Sequence, residues 1–116
     1  MDFISLLCLV AQRKGMVINM KYYDAKINWI PPAKGGRKKI PQTDNGYYPI
    51  IVVGDQQFDL QNALWSVCVY ITKQINDFET FSKIRYFSED APFDLLSGET
   101  FKLYEGHKLV AHGIIL

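Results

Sequence analysis

Four cations within six residues, Lys34-Gly35-Gly36-Arg37-Lys38-Lys39, are the densest chemistry in this chain. Such a loop suits phosphate contact. Each lysine or arginine that meets a phosphate releases its counterions, and arginine can bond two oxygens at once. The paired glycines let a backbone come close to a partner. The loop is not a nucleotide P-loop, because the Gly-x4-Gly-Lys-Ser/Thr spacing is missing and no helical pattern follows. His107 and His112 stand five apart across a turn and a strand, which puts them on opposite faces. No third ligand lies at metal spacing, so no metal site is expected. Glu89, Asp90, Asp94 and Glu99 have no accompanying histidine or pocket signal and read as a solvated acidic loop rather than an acid/base pair. No Gly-x-Ser-x-Gly elbow supports a nucleophilic serine. The expectation is a binding module without catalysis, cofactor or bound nucleotide.

The elements that must position the basic loop are strands. Tyr22 to Ile30 alternates, with Tyr23, Ala25, Ile27 and Trp29 on one face and Tyr22, Asp24, Lys26 and Asn28 on the other. Pro31-Pro32 ends that strand, since proline lacks the amide donor that a central strand needs. Ala33 to Gly46 reads as loop. Pro49 to Val53 is a β-branched run stopped by Gly54-Asp55. Ala63 to Ile75 alternates again, with Trp65, Val67, Val69 and Ile71 opposed to Ser66, Cys68, Tyr70 and Thr72. Phe81 to Phe87 is a less clear strand. Thr100 to Glu105 and Leu109 to Leu116 flank Gly106-His107-Lys108 as a hairpin. Six short strands and no long helical pattern imply an all-β barrel or sandwich. Ile27, Trp29, Val67, Val69, Ile71 and Leu103 hold the inward phase and are the predicted core. Tyr22, Tyr70 and Tyr104 hold the outward phase, where aromatics serve cross-strand packing, base stacking or protein contact.

Read in order, Lys34-Gly35-Gly36-Arg37, Gly46-Tyr47-Tyr48-Pro49, Phe101 to Gly106 and Val110-Ala111-His112-Gly113-Ile114 carry a family likeness. From about Lys21 to Leu116 the chain resembles the third domain of bacterial elongation factor Tu. That family has a Glu-Gly-Gly-Arg loop, a Gly-Tyr-Arg-Pro lead-in, an aromatic-led strand with a Glu-Gly-Gly-Arg turn, and a last strand with Val-Gly-x-Gly. The resemblance implies a six-stranded antiparallel β-barrel over residues 21–116. It also implies a surface that touches tRNA or another structured RNA through Arg37, Glu105 and Gly106. Lys34, Lys38, Lys39 and Lys108 flank those positions and join the expected site. The pattern departs where Tyr48 replaces the arginine of the lead-in, where His107-Lys108 replaces the final Gly-Arg, and where Ala111-His112 interrupts the glycines. The segment 76–98 is longer than the family's equivalent, and its Glu89, Asp90 and Asp94 carry a sign that repels RNA. No P-loop, Asp-x-x-Gly switch or Asn-Lys-x-Asp guanine reader is present, so the elongation motor is missing. That gap raises a second expectation: a protein-interaction module, of decoy or immunity type, that imitates elongation factor Tu.

The composition fits one domain. Aromatics make up 14%, and the net charge is only +1. The near-neutral total conceals an uneven distribution. Arg13, Lys14, Lys21, Lys26, Lys34, Arg37, Lys38 and Lys39 crowd residues 12–39 against Asp24 alone, while residues 40–100 are acidic. Cys8 and Cys68 are too few for a disulfide framework, which suits a reducing, cytoplasmic compartment. The apolar stretch from Phe3 to Ala11 is too short to cross a bilayer and lacks the flanks of a secretory signal. Residues 1–20 are expected to be an extension. Either Leu6, Leu7, Leu9 and Val10 form a short helix over one end of the barrel, or translation starts downstream at Met16 or Met20.

Overall fold

The computed structural model describes residues 21–54, 65–87 and 94–116. Within them lie six strands: β1 (Tyr23–Trp29), β2 (Ile50–Val53), β3 (Trp65–Asn76), β4 (Glu79–Tyr86), β5 (Thr100–Glu105) and β6 (Lys108–Ile115). All pairings are antiparallel, and the order β1-β4-β3-β2-β5-β6 closes on itself because β1 bonds to both β4 and β6. The expected six-stranded antiparallel barrel is therefore the fold. The helical content of the described residues is one 3-10 turn, Pro32–Lys34, just after the Pro31-Pro32 stop. None of their helices is long and apolar enough to cross a membrane. The short helix expected in residues 1–20 falls outside the described residues.

The alternation in β1 places Ala25, Ile27 and Trp29 inside, nearly or wholly without solvent contact. Val67, Val69 and Leu103 join them as expected, whereas Ile71 is half-buried at the margin of the same cluster. Phe101, Ile84, Ile51, Val110 and Ile115 are among the other members of this interior, and small side chains make room for the large ones. Gly113 lies across from Phe101, and a Cβ there would sit 2.1 Å from the Phe101 Cζ atom. Three polar side chains of the interior bond to one another. The Trp29 indole N–H donates to the Thr80 hydroxyl at 2.9 Å, and the Thr80 and Ser82 hydroxyls lie 3.1 Å apart. An indole buried without such a partner would cost stability.

Among the described residues, two hairpins have tight two-residue turns. Asp77-Phe78 joins β3 to β4, and Asn76 shapes this turn by accepting from the Phe78 amide and donating to Glu79. Gly106-His107 joins β5 to β6. Gly106 has φ +60° in the first central position, the arrangement in which a two-residue loop matches strand twist. On β6 an extra residue, Val110, shifts the register: Tyr104 pairs with Leu109, but Leu103 pairs with Ala111. Such a bulge bends the strand and re-aims the side chains beyond it.

Strand β4 starts two residues before the predicted Phe81. Its inward face begins with Thr80 and Ser82, and Phe81 points out, so hydrophobicity alone marks the wrong phase there. Residues 63 and 64 of the predicted third strand lie outside the described residues. Cys68 lies on the outward face, as the alternation places it, yet is buried there, opposite Arg85 and against Tyr70.

Candidate functional site

The loop after β1 is folded by contacts that the sequence only hints at. The amides of Lys34 and Gly36 both donate to the Pro31 carbonyl, and Gly35 takes φ +88° to end the 3-10 turn. Gly36 packs so tightly that a Cβ would lie 1.6 Å from the Ile30 carbonyl oxygen. Its glycine thus serves the loop's own packing rather than the approach of a partner. From Thr43 to Pro49 the chain then runs beside β3. The Thr43 hydroxyl and the Tyr47 and Pro49 carbonyls accept from the amides of Ile71, Val69 and Val67. Ile40 and Tyr47 rest on the core beneath.

This course brings the two ends of the expected site together. The Arg37 guanidinium forms an ion pair with Glu105, the last residue of β5. The Tyr47 hydroxyl donates to the same Glu105 oxygen. Arg37 also stands 5.5 Å from the Tyr47 ring centre, and its Nε donates to the Lys39 carbonyl at 3.2 Å. Trp29 tilts against the far side of this group, with its ring centre 6.0 Å from that of Tyr47. Burial, and after it the hydrogen bond to Glu105, pushes the Tyr47 phenol well above its ordinary range, so it remains a donor at any physiological pH.

Arg37 and Glu105 are thereby half-buried and committed to each other. The remaining expected residues lie on the same loop or on the adjoining hairpin and are exposed: Lys34, Lys38, Lys39, Gly106 and Lys108. Lys108 is the direct cross-strand partner of Glu105. Elsewhere, two cations of the basic segment and one of β4 meet acids. Lys21 approaches Asp94 at 3.7 Å, Lys26 approaches Glu79 at 3.0 Å, and Asp24 holds Lys83 at 2.9 Å. Among the described residues Lys34, Lys38, Lys39 and Lys108 form no ion pair. Lys26 and Lys83 on the barrel wall are thus paired, Lys73 and Lys102 on it are not paired among the described residues, and further unpaired cations flank the Arg37–Glu105 junction.

Tyr47 is the member of this cluster that the sequence did not single out. Its signal was present, a tyrosine two residues before a proline in a polar loop, but nothing local says that it reaches Glu105. The outward tyrosines do not gather here. Tyr22 lies under Arg85, Tyr70 packs against Cys68, and Tyr104 lies half-buried on β5. Asp94 bonds the Tyr23 hydroxyl, and Glu99 accepts from the Leu96 amide, so these two acids serve the local fold. Glu89 and Asp90 lie outside the described residues. No group of three metal-ligating side chains occurs among the described residues. No protein-family model, curated protein or solved structure matches the chain.

Proposed function

We propose that this barrel is a non-enzymatic RNA-contacting module of the elongation factor Tu third-domain type. In this reading it grips the phosphate backbone of tRNA or another structured RNA where the 31–39 loop meets the β5–β6 hairpin. The supporting observation is the Arg37–Glu105 ion pair, which joins two of the four segments that carry the resemblance. Arg37 acts as the pin of the surface. Lys34, Lys38, Lys39 and Lys108 make the phosphate contacts, and Gly106 lets the hairpin tip approach the backbone. The reading belongs with a bacterial, cytoplasmic setting and a role in translation.

Salt dependence tests it. Each phosphate neutralised adds about 0.7–0.9 to the slope of log affinity against log salt. Changing Lys34, Lys38 and Lys39 together to Ala should flatten that slope for a tRNA-sized RNA by roughly two to three units. The thermal transition should stay in place, because none of the three lysines is paired with an acid. An unmodified chain with no RNA affinity at low salt would end this reading.

One observation favours a protein partner instead. Tyr48 and Phe87 stack edge-on at 4.9 Å while remaining 37% and 49% exposed, an aromatic pair of the kind that anchors protein interfaces. In that case the barrel is the imitator of elongation factor Tu, and its binding should be insensitive to salt.

A further inference from the structure

A groove of about 310 Å³ crosses the outward face of β5, β6 and β1, on the wall of the barrel rather than at its loop end. Most of a barrel's outer surface is convex, so a concave stretch with converging donors invites a ligand. Four lining side chains are donors: Asn28, Thr100, Lys102 and His112. His112 faces Asn28 directly on β1 and Lys102 directly on β5. Direct cross-strand neighbours lie about 4.5–5.5 Å apart at Cβ, so the three form one transverse row. Thr100 stands two positions along β5, on the same outward face.

The bulge at Val110 makes this row. The pairing of Glu105 with Lys108 and Tyr104 with Leu109, continued unbroken, would set Lys102 against Ala111. The extra residue places His112 there and keeps it on the outward face. Among the described residues, none of these four side chains is engaged in a hydrogen bond or ion pair, and none of the groove's lining side chains is acidic. An ammonium, an imidazole, an amide and a hydroxyl in a shallow groove form a donor set matched to a multivalent oxyanion.

We propose that this groove binds a phosphate group, with Lys102 and His112 taking its charge and Asn28 and Thr100 its remaining oxygens. A phosphate monoester carries most of its second charge at neutral pH, which suits two adjacent nitrogen donors better than a carboxylate does. The site does not depend on the loop surface proposed above. It draws on other residues, and His112 lies four positions along β6 from Lys108, about 13 Å at strand rise.

The two histidines of the chain provide the test. Inorganic phosphate is titrated into the full chain while the imidazole ring protons are followed by NMR, each assigned through its His→Gln variant. The expected result is a saturable shift of the His112 ring protons at phosphate concentrations of about 1–10 mM, with His107 unmoved. Lys102→Ala should weaken the binding at least fivefold with the fold intact, since Lys102 lies on the outward surface. The Lys34/Lys38/Lys39→Ala variant should leave the titration unchanged. Equal, unsaturating drifts of both histidines would overturn the proposal, and so would a saturable shift indifferent to Lys102→Ala. Adding structured RNA to the phosphate-loaded protein then separates the sources. Displacement of phosphate identifies a backbone phosphate as the ligand, and coexistence identifies a small phosphorylated molecule. Failure of RNA binding alone would leave the phosphate shift standing.

Discussion

Arg37 shows how far a single residue's role depends on its neighbours. Its sequence setting, between glycine and two lysines, reads as a phosphate contact. Its position over Tyr47 and against Glu105 makes it a fastener for the loop. A double-mutant cycle on Arg37→Ala and Glu105→Gln should give a coupling of about 1 kcal/mol, the upper end for a partly exposed pair, because Tyr47 shares the same carboxylate. A coupling near zero would return Arg37 to the free cations. Trp29 was legible from alternation alone, and truncation to Ala should cost roughly 3–5 kcal/mol in equilibrium unfolding. The partnership of its indole with Thr80 was not legible. It joins β1 to β4 across residues far apart in sequence, and period-two reasoning contains no cross-strand register.

Among the elements, those with one apolar face were readable and those with a mixed face were not. The first strand is recovered nearly to the residue because apolar and polar positions alternate there, and the final hairpin because its turn carries glycine between two apolar-rich runs. β4 was blurred because Thr80 and Ser82 face inward while Phe81 faces out. The loop end was readable as cations and glycines, but its assembly with Glu105 depends on a course set by packing at Ile30 and beside β3. The bulge in β6 leaves no mark, since Leu109, Val110 and Ala111 are all apolar. Packing inside that hairpin is tight where β6 crosses Phe101. Gly113→Ala should therefore cost roughly 1–3 kcal/mol, read as a fall in Tm, because the new methyl meets the ring. Pairing it with Phe101→Leu should recover part of the loss. A full loss in both chains would mean that the glycine serves the backbone of β6 rather than the ring.

For the whole molecule, three phenols tie stability to alkaline pH. Tyr47 and Tyr23 are pushed above their ordinary range by burial, reinforced by hydrogen bonds to Glu105 and Asp94. Tyr86 is pushed up to about 12 by burial first. A group whose pKa is higher in the folded chain stabilises fully below its unfolded value, here 10.0, and that contribution is lost as pH rises through the folded value. Tm should accordingly hold steady up to about pH 9.5 and fall beyond 10, with Tyr47→Phe softening the fall. An unchanged alkaline limb in that variant would show that Tyr47 ionises as freely folded as unfolded.

The seam between β1 and β6 has a consequence for how the chain is made. Ala25 pairs with Ile115, and the Leu116 amide donates to the Asp24 carbonyl, so the earliest described strand is completed only by the latest. On a translating ribosome, β1 emerges long before its second partner. Until β6 clears the exit tunnel, one edge of β1 and the matching edge of β5 stay open to any passing strand. The barrel therefore closes only once β6 has emerged, and a nascent chain arrested just before Lys108 should remain sensitive to protease.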